Sequence, residues 1–246
     1  MKLHRRAARK RSGLFLAEGP NLVTAALARG VVRDLFVTEA AAGRFADLLR
    51  EAGTAVHRVT ERAATALSDT VTPAGLVAVC DVVPFDLSDL LARGPRLVVV
   101  AVDLAEPGNA GTLIRLADAF GAAAVVLAGH CVDQYNAKCL RASAGSVFTV
   151  PVVEVADAVA AIGEIATAGL QVLATDVNAE LTLDEAGRLL SAPTAWVFGS
   201  EAHGLSAEVA SSASQRVRIP MHGGAESLNV AAAAAICLYQ TSRAHA

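Results

Sequence analysis

The sequence predicts an α/β protein in two parts: a small N-terminal α/β domain, then a larger domain on a parallel sheet. Three observations carry this. From Leu97 onward, continuous apolar runs alternate with helical patterns, beginning with LVVVAV at 97–102. A strand with no polar alternation marks a sheet covered on both faces, and strand–helix alternation marks a parallel one. The stretch Pro84–Pro95, with Asp86, Asp89, Arg93 and Gly94, reads as a linker containing a helical turn. The length of 246 residues fits two domains, set at 1–88 and 97–246.

In the first part, Leu14–Ala17 is a short apolar segment closed by Glu18-Gly19-Pro20. Asn21–Arg29 has helical spacing at Leu22, Ala25 and Ala26 and stops at Gly30. Val31–Val37 is strand-like, and Glu39–Ala52 is predicted as one helix with Ala42, Phe45, Leu48 and Leu49 on one face. Ala55–Val59, Thr60–Leu67 and Gly75–Val83 continue as strand, helix and strand. In the second part, helical Gly111–Phe120 and the strand Ala122–Leu127 follow LVVVAV. Further strands are expected at Leu170–Ala174, Ala195–Phe198 and Val217–Ile219, and a last helix at Ser227–Ser242. The ligand site of such a sheet lies outside the carboxyl ends of its strands.

Composition sets limits. Hydrophobic residues make up 54%, charged residues 18%, and the mean hydropathy is +0.46. The longest apolar run, Val230–Tyr239, is about half the ~20 residues of a membrane span. The basic start MKLHRRAARKR precedes no apolar signal core, so a cytoplasmic protein is expected. Cys80, Cys131, Cys139 and Cys237 form no CxxC pair and are expected to be buried thiols, with no metal site. The net charge of −3 conceals an asymmetry: residues 1–88 sum to +3 and residues 89–246 to −6. The basicity is one cluster, Lys2, Arg5, Arg6, Arg9, Lys10 and Arg11. Arg5/Arg9 and Arg6/Lys10 are spaced i,i+4, so a helix there would present a broad cationic face to phosphates. A solubilising terminus is the bland alternative.

Three segments at strand ends differ from ordinary connectors. Asp103–Arg115 contains a Pro107-Gly108 turn, Asn109 as a helix cap, and Arg115 beside the apolar face of Leu113, Ile114, Ala117 and Phe120. Alone it reads equally as a capping Asn and a snorkelling Arg. Trp196–Leu205 ends a strand in Gly199-Ser200-Glu201, which suggests close backbone approach to a ligand. It is no nucleophile elbow, because Phe198 stands where G-x-S-x-G needs glycine. Ile219–Val230 combines Gly223-Gly224 with Ser227, a good N-cap, and Asn229 in the first turn of an apolar helix. Neither GxGxxG nor a P-loop is present.

In order and spacing, EPGNAGTLIRLADAFGAAAVVL, FGSEAHGLS and IPMHGGAESLNVAAAAAI resemble the three motifs of the SpoU/TrmH family of RNA ribose 2′-O-methyltransferases, within the SPOUT superfamily. RASAGSVFTVPV is similar to the family's intermediate segment, and FLAEGPNLVTAAL and TPAGLVAVC to the substrate-binding domain many members carry. The resemblance implies S-adenosyl-L-methionine as cofactor, a deep trefoil knot in the catalytic domain, and a homodimer whose site is completed across the interface. It implies a catalytic set of Asn109, Arg115, Glu201, Ser227 and Asn229. It also implies a cofactor pocket at Gly199, Ile219 and Leu228 with neighbours Thr175 and Met221.

The expected function is therefore methylation of a ribose 2′-hydroxyl in structured RNA, ribosomal RNA ahead of transfer RNA. Arg5, Arg6, Arg9, Lys10 and Arg11 would grip phosphates, and the apolar last helix would join two copies. A non-catalytic RNA-binding factor on the same scaffold is the alternative from another class, and an unrelated small-molecule α/β enzyme a third.

Overall fold

A computed structural model describes residues 3–245, so Lys2 of the basic cluster lies outside the described residues. Helix α1 (Arg6–Ser12) ends on Gly13 in the left-handed region. After it come β1 (Leu14–Glu18), α2 (Pro20–Arg29), β2 (Val32–Thr38), α3 (Glu39–Arg44), α4 (Ala46–Glu51), β3 (Ala55–Val59), α5 (Glu61–Leu67) and β4 (Leu76–Asp81). The four strands form one sheet in the order β1-β4-β2-β3, parallel only between β2 and β3.

The single helix expected at Glu39–Ala52 is two. The chain leaves helical geometry at Phe45 (φ −115°, ψ 27°). Gly43 weakens the helix interior there by ~1 kcal/mol relative to alanine. The break lets Phe45, Leu48 and Leu49 pack on the core. The strand expected from Gly75 begins at Leu76, because Gly75 adopts φ +74° and a Cβ there would lie 2.6 Å from Thr38 Oγ1.

The expected linker carries α6 (Leu87–Leu91), capped by Asp86, whose carboxylate accepts from the amides of Ser88 and Asp89. It is docked: Leu87, Leu90 and Leu91 are buried with Val98, Val100, Ile162 and Ile165. The second part follows as β5 (Leu97–Val102), α7 (Pro107–Ala119), β6 (Ala124–Ala128), α8 (Ala137–Ser143) and β7 (Val152–Val155). It continues with α9 (Ala158–Thr167), β8 (Gln171–Thr175), β9 (Leu181–Thr182), β10 (Thr194–Phe198), α10 (Ala207–Ser212), β11 (Gln215–Arg218) and α11 (Val230–His245). These seven strands form one sheet, order β7-β6-β5-β10-β8-β11-β9, with every pairing parallel.

Both faces of that sheet are covered, as the unbroken apolar strands require. Val99, Ala101, Val125, Leu127 and Trp196 pack with α7 and α11 on one face. Val98, Val100, Val126, Val172 and Val197 pack with α9 on the other. Trp196 is fully buried and its Nε1 donates to Thr241 Oγ1 at 2.8 Å, which meets the indole's one polar need. The two sheets share a core: Phe15 of β1 lies 4.2 Å from the Tyr135 ring, and Gly145 faces the Ala25 methyl. All four cysteines are buried and free. Among the described residues, no helix is long and apolar enough to cross a membrane.

Candidate active site

The carboxyl ends of β5, β8, β10 and β11 bring the three unusual segments together. Helix α7 begins at Pro107, so Pro107-Gly108 is its first turn and no separate bend. Its cap is Glu106, not the expected Asn109: the Glu106 carboxylate accepts from the Gly108 amide at 3.2 Å. Proline at N1 fixes this start, since it needs no amide partner there. Lys138, 2.5 Å away, and then the Gly108 amide hold the Glu106 carboxyl below its ordinary range. Gly111 lets α7 and α8 touch, for a Cβ would come within 2.7 Å of the Ala142 methyl.

Freed from capping, Asn109 is a bridge. Its Nδ2 donates to Glu201 Oε1 at 2.9 Å, and its Oδ1 accepts from Asn229 Nδ2 at 3.1 Å. Asn229 Oδ1 in turn accepts from the Ala231 amide at 2.9 Å, so Asn229 caps α11. This corrects the expectation that Ser227 caps and Asn229 sits in the first turn. The direction of the chain is set from both ends. A carboxylate only accepts and a backbone N–H only donates, so both amides have one consistent orientation.

The loop after β10 owes its shape to Gly199. Ser200 and Gly204 exchange backbone hydrogen bonds at 3.1 and 3.0 Å, closing a tight loop. A Cβ on Gly199 would lie 2.6 Å from the Leu205 nitrogen. Beside this loop opens a cavity of about 540 Å³, of ordinary ligand-pocket size. Thr175, Gly199, Ile219, Met221 and Leu228, the five residues expected to hold a cofactor, all line it. So do Glu201 and Ser227. Thr175 Oγ1 donates to the Val197 carbonyl at 3.2 Å, tying β8 to β10 at the rim.

Arg115 stands apart. Six residues beyond Asn109 on α7, it is about 9 Å along the axis and a third of a turn round the helix. Its side chain is exposed, makes no hydrogen bond among the described residues, and is absent from the cavity wall. The charged residues Asp176, Arg216 and Arg218 line the cavity, with Arg216 and Asp176 paired at 3.1 Å, and sequence reasoning missed them. The signal was present: Gln215–Arg218 is a strand with arginines directly before the Ile219-Pro220-Met221 loop. That strand ends before Ile219, one residue earlier than expected.

The basic cluster is divided. Arg9 is 5% exposed, with Nε and Nη2 donating to Asp133 Oδ2 at 2.9 and 2.6 Å. Arg6 donates to Glu154 at 2.8 Å and to the Cys131 carbonyl at 3.3 Å. The broad cationic face is thus corrected: Arg9 is buried and Arg6, though exposed, is paired with Glu154, which leaves Arg5, Lys10 and Arg11 as the exposed cations without a salt bridge among the described residues. Among the described residues, no group of three His, Cys, Asp or Glu side chains suits a metal ion.

The model of the SpoU rRNA methylase family matches residues 96–239. The chain belongs to that family. An MRM3-like substrate-binding domain matches residues 1–78 of this SpoU-family chain. The 23S rRNA (guanosine(2553)-2′-O)-methyltransferase RlmP of Bacillus subtilis is 34% identical over 239 residues, 97% of this chain and 92% of that protein. The SpoU methyltransferase AviRb from Streptomyces viridochromogenes, solved with AdoMet, superposes with TM-score 0.86 at 31% identity, covering 98% and 94% of the two chains. An AdoMet-bound rRNA methyltransferase from Sinorhizobium meliloti gives 0.83 at 29% identity, over 98% and 91%.

Proposed function

We propose that this SpoU-family chain is an enzyme that methylates a ribose 2′-hydroxyl of ribosomal RNA with S-adenosylmethionine. The observation that carries the reading is the chain Glu201–Asn109–Asn229, which joins three distant segments beside one cavity. RlmP and the Sinorhizobium meliloti protein are named rRNA methyltransferases and match over more than nine-tenths of both chains, which supports ribosomal RNA over transfer RNA.

The cavity fits the cofactor. Ile219, Met221 and Leu228 give it an apolar lining, and Asp176, Ser200 and Glu201 add polar groups along its wall. When bound, S-adenosylmethionine would supply a sulfonium-activated methyl group: the new O–C bond would replace the S–C bond, the neutral thioether would leave, and the hydroxyl proton would pass to solvent. The protein's part is placement and charge stabilisation. Asn109, Glu201 and Asn229 hold the loops, and Ser227, on the cavity wall with its hydroxyl free among the described residues, orients the ribose. The planar guanidinium of Arg115, with five N–H donors, holds the target phosphate and stabilises negative charge on the ribose oxygen.

Arg115 is exposed and off the wall of its own chain's cavity, which supports a homodimer in which it serves the partner's. The exposed stripe Ala232, Ile236 and Tyr239 of α11 is the surface we assign to that contact. Residues 1–88 then act as the RNA-gripping domain and 97–246 as the catalytic one, in a cytoplasmic setting. The return of α11 across β10 against α7 supports a trefoil knot around the β11–α11 loop.

Labelled S-adenosylmethionine, incubated with the protein and with ribosomal and transfer RNA separately, tests the reading. Label in ribosomal RNA, at a site resistant to alkaline cleavage, is expected. Cofactor binding without label in any RNA would leave a binding factor on the same scaffold.

A further inference from the structure

We infer that the buried Arg9–Asp133 pair is a positioning latch: it seats α1 on the carboxyl rim of the catalytic sheet and so aims Arg5, Lys10 and Arg11 at the RNA. The inference rests on the proposed RNA substrate.

The two residues are 5% and 6% exposed, against values several times higher for the other ion pairs. The satisfaction of their polar atoms is thorough. Asp133 Oδ2 takes both Arg9 bonds, while Oδ1 accepts from the Tyr135 amide at 2.8 Å. Arg9 Nη1 donates to the carbonyl of Leu3, itself buried, at 2.8 Å. Surface ion pairs contribute little, but a dry, fully bonded pair fixes geometry, and breaking it by removing one partner is costly.

What is fixed is a direction. Asp133 and Cys131 lie in the loop after β6, and Glu154 lies in β7, so α1 is clamped where those two strands end. The sheet is parallel throughout, so this is the end at which β8 and β10 open into the cavity. Between β6 and β10 lies only β5, which puts α1 roughly 10–15 Å from the cavity rim at ~4.8 Å per strand. The clamp also masks acid. Without α1, this rim of an acidic domain would present Asp133 and Glu154 to a polyanion.

The sign of the effect separates a latch from plain electrostatics. Removing a negative charge near an RNA site strengthens RNA binding if charge alone matters. A latch predicts the opposite for Asp133→Asn. The amide would turn an N–H toward either the Arg9 guanidinium or the Tyr135 N–H, donor against donor, and α1 would lift.

The test measures binding of 23S ribosomal RNA by the full-length protein across a salt series, with S-adenosylmethionine binding as the fold control. Asp133→Asn is expected to weaken RNA binding about tenfold. It should flatten the log–log salt slope by ~2–3, at ~0.7–0.9 per lost phosphate contact for the three cations. The RNA KM should rise while kcat at saturating RNA is kept. The double variant R9M/D133L, which replaces the pair with apolar bulk, is expected to restore both affinity and slope. RNA binding by D133N as tight as wild type, or a double variant no better than D133N, overturns the latch and leaves the proposed function standing. Wild-type protein that binds no ribosomal RNA overturns both.

Discussion

Asn109 and Glu201, 92 residues apart in sequence, are joined by an N–H···O bond of 2.9 Å whose donor and acceptor cannot exchange roles. The Glu201 carboxylate only accepts, so Asn109 must turn its carbonyl to Asn229.

Asn109→Asp therefore does more than delete a bond. It sets two carboxylates face to face and leaves Asn229 as the only donor of the trio. Turnover is expected to fall about 10- to 100-fold, the scale of losing a charge-assisted hydrogen bond of ~1.5–3 kcal/mol. Single-turnover methylation, with cofactor affinity measured alongside, reads the effect.

Gly199→Ala forces a methyl to within 2.6 Å of the Leu205 nitrogen, which is backbone and has little room to yield. The Ser200–Gly204 loop must open, and calorimetry should show weakened S-adenosylmethionine binding. A loss of ~1–3 kcal/mol in stability should accompany it, the cost of overpacking.

Arg115→Lys keeps the charge but loses the planar fork that grips a phosphate. A drop in kcat/KM of about a hundredfold is expected, with cofactor affinity unchanged because Arg115 lies off the cavity wall. Near-normal turnover would remove Arg115 from the proposed catalytic set.

Alkaline pH should destabilise the fold. Burial pushes the Cys80 and Cys139 thiols up to about 12 and Cys131 to about 11, from 9.0, and raises Cys237 as well. The unfolded chain then releases these protons first. Stability is intact below pH 9 and falls above it by up to ~1.4 kcal/mol per pH unit for each thiol, until the folded values are reached. Urea titrations between pH 8 and 10.5 measure the slope. Ellman's reagent at pH 8 should find the thiols unreactive until denaturant is added.

Thr241→Val removes the acceptor of the Trp196 indole in a fully buried site. An unsatisfied N–H costs ~1–3 kcal/mol, so chemical denaturation should show a loss of that size.

The sheet was legible because β5, β6 and β10 are uninterrupted apolar runs, which few other structures can accommodate. The place of the cavity was legible from the strand ends and from Gly199, but its individual lining residues only through motif likeness, since Thr175, Ile219, Met221 and Leu228 carry no chemical signature of their own. Caps were misplaced where two capping residues compete within a few positions. Glu106 wins over Asn109 because Pro107 starts the helix, and Asn229 wins over Ser227 because its amide also meets Asn109. The pairing of Arg9 with Asp133 spans 124 positions, and no local period reveals a contact of that reach.

Glu201, Asn109 and Asn229 come from a strand end, a helix start and the cap of the final helix, with sequence separations of 92 and 120. Nothing shorter than the finished C-terminal half can hold them together, and contacts of such separation form late. A partly unfolded chain would carry every side chain proposed for the site and no assembled site. Methyl transfer by this protein would report completed folding as directly as any spectroscopic probe.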